Sequence, residues 1–266
     1  QLSSRHSAPW TSLEIRPMIK HYRIHEVSEY IDWIYFFHAW GFSPRKTQTP
    51  EAIQLLQEAK EMLELLDKNF QTHAVLRLMD ANSEENDIWI EGTRFPFLRQ
   101  QTAKEEEPYL CLSDFIRPSS SKITDKIGLF ATTVDAEMEQ LYTADPYLHM
   151  LVKTLADRLA EATAEKTHDA IRKEFQGIRP AVGYPSLPDQ SVNFLLDELL
   201  DMKRIGIHLT ENGMMQPHAS VSGLIFTHPA SRYFSVGKID EQQLKDYAIR
   251  RGLPVGQMRK FLARNL

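Results

Sequence analysis

A short loop rich in proline and glycine, GIRPAVGYP at residues 177–185, carries the clearest candidate for ligand chemistry. Its one charged residue, Arg179, lies two positions after Gly177 and directly before a proline. Proline restricts the backbone, glycine lets a ligand approach the main chain, and a planar guanidinium can bind a carboxylate through two parallel hydrogen bonds. The loop therefore predicts an anion site. Composition alone also fits a connector whose arginine pairs with an acid of the core, and such connectors are the more common case.

A second candidate is an acid surrounded by aromatic residues. Asp32 lies within the segment EYIDWIYFFHAW at residues 29–40. A carboxylate buried there without a partner would be costly, so Asp32 must either cap the N-terminus of a helix or meet a cation from the protein or from a ligand. Both interpretations fit the sequence equally well. The aromatic density itself is more typical of a core than of a ligand site.

Other familiar site patterns are missing from the sequence. None of the 11 glycines forms the G-x-G spacing of a dinucleotide-binding turn, and the ten histidines show no H-E-x-x-H spacing. With Cys111 as the one cysteine, the chain has no Cys/His cluster for structural zinc and no intrachain disulfide. We therefore expect no metal site and a reducing compartment, the cytoplasm.

Charge and hydropathy exclude two further classes of protein. The chain of 266 residues has 31 Lys and Arg against 36 Asp and Glu, a net charge of -5, which argues against nonspecific nucleic-acid binding. Its longest apolar stretch, residues 33–42, is interrupted by His38 and is shorter than the roughly 18 residues that span a bilayer. We expect no nucleic-acid partner and no membrane segment.

The elements that must position these residues follow from periodicity and from helix and turn signals. Helices are predicted from Thr49-Pro50, between Thr133 and Phe175 with a break or start at Pro146, over 192–204, and around 242–251 and 255–263. Strands are predicted at 73–79, 87–90, 109–115, 127–133, 219–226 and 232–239, with the last two forming a hairpin. Hairpins without strict strand–helix alternation indicate an α+β fold with an antiparallel sheet.

Several ordered blocks of the sequence resemble one known family. Together they are similar to the C-terminal activation domain of cobalamin-dependent methionine synthase, from about His21 to Leu266, which leaves residues 1–20 as an N-terminal arm. The blocks are YIDW (30–33), LRQQT (98–102), CLSDF (111–115), LADRLAEA (155–162), QGIRPAVGYP (176–185), LTEN (209–212), ASVSG (219–223), HPASRYFSVGKI (228–239) and the closing ARNL.

The resemblance implies a function and partners. Such a domain binds S-adenosylmethionine and supports reductive methylation of inactive cob(II)alamin. The cobalamin comes from a partner domain or corrinoid protein, and the electron from flavodoxin or another reductase. The sequence lacks the D-x-H-x-x-G motif of a cobalamin module, so the chain is not expected to make methionine alone. It could be a fragment of a longer enzyme or a separately encoded subunit.

The resemblance also implies site residues. Asp32 corresponds to the acid near the methionine ammonium, and Arg179 to the arginine that holds the methionine carboxylate. Ala181, Gly183 and Tyr184 complete the R-P-A-x-G-Y motif, Tyr233 and Phe234 match an aromatic pair beside the ligand, and Glu161 is a further acid near the donor. Phe234 lacks the hydroxyl that relatives often carry there. The domain positions a methyl donor, so no general acid or base is expected.

Two other functions remain open at the level of sequence. An autonomous S-adenosylmethionine-dependent methyltransferase would share the ligand, although the missing glycine-rich turn argues against the common form of that class. A docking module for flavodoxin or a corrinoid protein, with a decayed ligand site, would not need both Asp32 and Arg179.

Overall fold

A computed structural model of the chain describes residues 17–102, 107–172 and 177–266. Residues 1–16 of the predicted arm lie outside these ranges, as do residues 173–176 at the end of the long predicted helix. The first described element is strand β1 (Met18–Arg23), which pairs with β2 (Gln71–Glu84). The sheet therefore begins two residues before Lys20, the predicted end of the arm.

The main sheet has six strands and is antiparallel throughout, as the sequence predicts. The remaining strands are β3 (Asp87–Ile90), β4 (Thr93–Pro96), β5 (Asp125–Val134), β6 (His208–Leu209), β7 (Met215–Gln216) and β8 (Ser220–Phe226). The order in the sheet is β4-β3-β2-β5-β8, while β1 pairs with the first half of β2. Strands β6 and β7 form a separate pair.

Seven α-helices lie in the described ranges. They are α1 (Ile24–Ser28), α2 (Trp33–Ala39), α3 (Pro50–Leu66), α4 (Pro146–Arg172), α5 (Val192–Leu200), α6 (Glu241–Arg251) and α7 (Val255–Phe261). The predicted start of α3 is confirmed, because the Thr49 side chain accepts a hydrogen bond from the Ala52 N–H and Pro50 opens the helix. None of the helices in the described ranges has the length and apolar character to cross a membrane.

The two faces of the sheet are covered by different helices, because successive strand side chains point to opposite faces. Phe130 and Ile225 lie on one face and pack in a cluster with Ala160 of α4. Leu129 and Phe226 lie on the other face and pack in a cluster that includes α5. Helices α1, α2 and α3 extend the α4 layer through a further buried cluster.

Three sequence predictions of secondary structure are wrong. The predicted helix start at Pro146 is confirmed, but the helix predicted upstream of it from Thr133 is wrong, because β5 continues to Val134 and Ala136–Gln140 forms only a 3-10 helix. The predicted strand 109–115 contains one bridge, from Arg99 to Cys111, and then a 3-10 turn. The Asp114 carboxylate accepts a hydrogen bond from the Cys111 N–H at 2.8 Å, which holds this turn.

The third wrong element is the predicted strand 232–239, which forms no hairpin with β8. Its backbone forms hydrogen bonds with residues 185 and 186 instead. The Phe234 N–H donates to Ser186 Oγ, and the Val236 N–H donates to the Pro185 carbonyl. The free edge of β8 is bordered by residues 178–182. There Val182 donates to the Ser222 carbonyl, while Leu224 and Phe226 of β8 donate to the carbonyls of Pro180 and Ile178. The loop at residues 177–185, called the arginine loop below, is therefore attached to the sheet.

Candidate functional site

A cleft of about 530 Å³ opens between α4, the start of α2 and the loop that borders β8. Charged and aromatic side chains dominate its wall. The lining residues are Tyr30, Asp32, Tyr35, Arg158, Glu161, Glu165, Arg179, Pro180, Ala181, Tyr184, Ser186 and Tyr233.

Helix α4 contributes three charged side chains to this cleft, Arg158, Glu161 and Glu165. Because they are spaced by three and four residues, they lie on one face of the helix. The adjoining face carries Leu155 and Leu159, which are fully buried in the core. Burial of that apolar face fixes the rotation of α4 and so aims the charged face into the cleft.

The side chain of Arg179 is held from several directions and is only 12% exposed. Its guanidinium carbon lies 5.2 Å from the centre of the Phe130 ring, and its Nη2 donates to Glu165 Oε2 at 3.2 Å. The backbone N–H of Arg179 donates to the hydroxyl of Tyr233 at 3.0 Å. Its Nε is buried and has no hydrogen-bond partner within the described part of the chain. The guanidinium therefore has one unused buried donor, and Arg179 itself lines the cleft.

Tyr184 and Glu161 form a short hydrogen bond across the cleft. The Tyr184 hydroxyl donates to Glu161 Oε1 at 2.5 Å. Partial burial and then the negative charge of Glu161 raise the pKa of Tyr184 above its usual value. The phenol therefore stays protonated at neutral pH and continues to donate to the carboxylate.

Asp32 lies at the N-terminus of α2. Its Oδ1 accepts a hydrogen bond from the Ile34 N–H at 2.9 Å, so it is the N-cap of the helix. Asp32 is exposed and also lines the cleft. One turn into α2, Tyr35 presents its ring to Arg158, whose guanidinium carbon lies 5.8 Å from the ring centre.

Comparison with known proteins identifies the family. The model of the family described as vitamin B12 dependent methionine synthase, activation domain, matches residues 23–252. The chain belongs to this family. A crystal structure of the MetH reactivation domain bound to AdoHcy is similar over 94% of this chain and 90% of its own, with 36% identity and a TM-score of 0.86. The resemblance and the α+β fold predicted from sequence are thus confirmed.

Within this activation domain, six of the eight predicted site residues line the same cleft. They are Asp32, Glu161, Arg179, Ala181, Tyr184 and Tyr233. Gly183 does not line it; with a φ of +87° it forms the turn that brings Tyr184 to the cleft. Phe234 does not line the cleft either. Its ring packs edge-on against Phe115, with the two ring centres 6.3 Å apart.

Six residues that line the cleft were not predicted from the sequence. They are Tyr30, Tyr35, Arg158, Glu165, Pro180 and Ser186. A signal existed for the two on α4, since Arg158 and Glu165 share a helical face with the predicted Glu161. Tyr30 and Tyr35 flank Asp32 in the aromatic segment, where the pattern does not separate core rings from cleft rings. The described residues contain no group of three or more His, Cys, Asp or Glu that could hold a metal ion.

Proposed function

We propose that this activation domain binds S-adenosylmethionine in the cleft and supports reductive methylation of cob(II)alamin carried by a partner. The observation that carries the proposal is that one cleft joins the Arg179 guanidinium to the acids Asp32 and Glu161. The similar reactivation domain is bound to AdoHcy, which is S-adenosylmethionine without its transferable methyl group.

The charges of the cleft fit such a ligand. S-adenosylmethionine carries a carboxylate, an ammonium and a sulfonium, and the cleft has one acid more than it has arginines. The Arg179 guanidinium, whose buried Nε has no hydrogen-bond partner in the described part of the chain, suits the carboxylate. Asp32 suits the ammonium. The faces of Tyr35 and Tyr233 suit the cationic sulfur and the adenine ring.

The residues of this domain bind and orient, while the reactive groups come from the ligand and the partner. The sulfonium supplies an electrophilic methyl group. Arg179 and Asp32 fix the amino-acid end of the ligand, and Tyr184 closes the loop against Glu161. The domain would therefore accelerate methyl transfer by positioning the methyl donor, as in other reactions in which two reacting groups are held in line. We infer no general acid or base among these residues.

The same proposal defines partners. The cobalamin-binding domain of methionine synthase, or a separate corrinoid protein, would present its cofactor at the open side of the cleft. A flavodoxin-like or other reductase would supply the electron. We propose a cytoplasmic location, in keeping with the buried free thiol of Cys111.

Calorimetric titration with S-adenosylmethionine tests the proposal. We expect saturable binding by the unaltered chain and a loss of roughly 10- to 100-fold in affinity for Arg179→Ala, since a charge-assisted hydrogen bond contributes about 1.5–3 kcal/mol. The matched control is Arg45→Ala, at an exposed arginine outside the cleft, which should bind normally. Absence of binding, or unchanged affinity in Arg179→Ala, would overturn the proposal.

A further inference from the structure

We infer that Glu165 is a positioning residue, which holds the Arg179 guanidinium in the orientation that receives the ligand carboxylate. The inference rests on the proposed function and deepens it, because it names what makes the cleft selective for ligands that carry an amino-acid carboxylate.

The geometry around the guanidinium supports this role. Glu165 lies on α4 one helical turn after Glu161, and its Oε2 accepts from Arg179 Nη2 at 3.2 Å. The Phe130 ring covers one face of the same guanidinium. Glu165 and Phe130 together therefore define both the position and the plane of the group. The contact with Glu165 engages Nη2, and the buried Nε of Arg179 has no acceptor among the described residues.

The three acids of the cleft have different contacts. Glu161 accepts a hydrogen bond from Tyr184, and Asp32 caps α2. Glu165 is the cleft acid that pairs with Arg179, and it is 38% exposed, whereas Arg179 is nearly covered. The arginine is therefore held from α4 before any ligand arrives.

Two opposing effects decide whether Glu165 strengthens or weakens the binding of a ligand that carries a carboxylate. The negative charge of Glu165 weakens the attraction between Arg179 and a second carboxylate. Against this, an arginine fixed in advance loses no rotamer freedom on binding, which contributes a factor of roughly three to ten in affinity. The ligand also brings an ammonium, which the same negative charge attracts. We expect the positioning effect to be the larger one.

The test compares two ligands that differ in the amino-acid part, AdoHcy and 5′-methylthioadenosine, by calorimetry on the full chain. Glu165→Ala should bind AdoHcy about three- to tenfold more weakly, and 5′-methylthioadenosine with affinity unchanged within about twofold. Glu165→Gln keeps an oxygen that can accept from Nη2, so it should restore part of the AdoHcy affinity. The matched control is Glu64→Gln, at an exposed acid of α3, which should leave both affinities unchanged.

A coupling measurement completes the experiment. In an Arg179→Lys background, Glu165→Ala should weaken AdoHcy binding far less than it does in the unaltered chain, because the group it orients has been removed. Equal losses for both ligands, an additive loss in the lysine background, or unchanged or tighter AdoHcy binding would each overturn the inference. If the unaltered chain binds neither ligand, the proposed function itself fails. Should Glu165→Ala not fold, Glu165→Gln gives the same ligand comparison with a smaller expected loss.

Discussion

The structure of Asp32 is compatible with both roles that the sequence presented as alternatives. Its Oδ1 caps helix α2 through the Ile34 N–H, and the same exposed carboxylate lines the cleft. An N-cap needs only one acceptor oxygen, so the charge of the group remains available to a ligand cation. The capping and ligand interpretations are therefore compatible.

Two substitutions at Asp32 separate these roles. Asn caps helices as well as Asp does, so Asp32→Asn should keep the free energy of unfolding within about 0.5 kcal/mol while weakening S-adenosylmethionine binding about tenfold or more. Asp32→Ala should weaken binding similarly and also lose about 1 kcal/mol of stability. Denaturant unfolding and calorimetry measure the two quantities.

Thr49→Ala supplies the control for this pair, because Thr49 caps α3 and does not line the cleft. It should lose stability to a similar extent as Asp32→Ala and bind the ligand normally. Normal ligand affinity in Asp32→Asn would mean that the charge of Asp32 plays no part in binding.

The sequence around Arg179 predicted the kind of partner that its side chain would have, but not which acid that partner is. The pattern around it predicted an anion site or an ion pair with a core acid, and the structure pairs it with Glu165. That acid lines the cleft and is not part of the core. The pairing depends on how α4 packs against the sheet, a tertiary property that the loop sequence does not contain.

The arginine loop depends on a close approach between two pieces of backbone. A Cβ on Gly223 of β8 would lie 2.3 Å from the Pro180 carbonyl oxygen and 2.9 Å from the Ala181 Cα. No side chain fits there without moving the loop away from the strand. The glycine of ASVSG is therefore required by the loop that borders it.

Gly223→Ala should consequently reduce both stability and ligand affinity. We expect a loss of about 1–3 kcal/mol in the free energy of unfolding, as for other overpacked positions, and weaker S-adenosylmethionine binding because Arg179 and Tyr184 move with the loop. Gly256→Ala is the control, since its Cβ would meet no atom within 4 Å and alanine favours the helix α7. Unchanged affinity in Gly223→Ala would show that the loop keeps its place without the close approach.

Among the elements, those with regular periodicity were predictable, and the two wrongly predicted strands fail for a common reason. The segments 109–115 and 232–239 are rich in apolar residues at strand-like spacing. Several of their apolar side chains nevertheless pack against other parts of the chain without strand pairing: the ring centres of Phe115 and Phe234 lie 6.3 Å apart. Spacing reports which side chains are buried, whereas the partner of a backbone is decided by the whole fold.

At the scale of the whole molecule, a buried ionic network connects helix α6 near the C-terminus to the rest of the domain. Asp189, in the loop before α5, is 1% exposed and lies 3.3 Å from Arg251 Nε of α6. It also accepts hydrogen bonds from the hydroxyls of Tyr247 and Ser191, each at 2.8 Å. This network joins α6 to the segment that leads from the arginine loop into α5.

Removal of Asp189 should be strongly destabilising. Asp189→Ala leaves the Arg251 charge buried without its counter-ion, and loss of one partner of a buried pair costs about 3–5 kcal/mol. Denaturant unfolding should report this loss. Arg259→Ala is the control, because it breaks an exposed ion pair with Glu241 and should change stability little. A small effect of Asp189→Ala would mean that Arg251 finds another acceptor or water.

The attachment of the arginine loop to β8 has a consequence for solubility. Strand β8, with the apolar sequence SVSGLIF, would otherwise present unpaired N–H and C=O groups along the rim of the sheet. Such edges invite pairing with another chain and aggregation, and proteins commonly cover them. Here residues 178–182 provide the cover through three backbone hydrogen bonds. Changes that loosen this loop to alter ligand preference therefore also uncover an aggregation-prone strand.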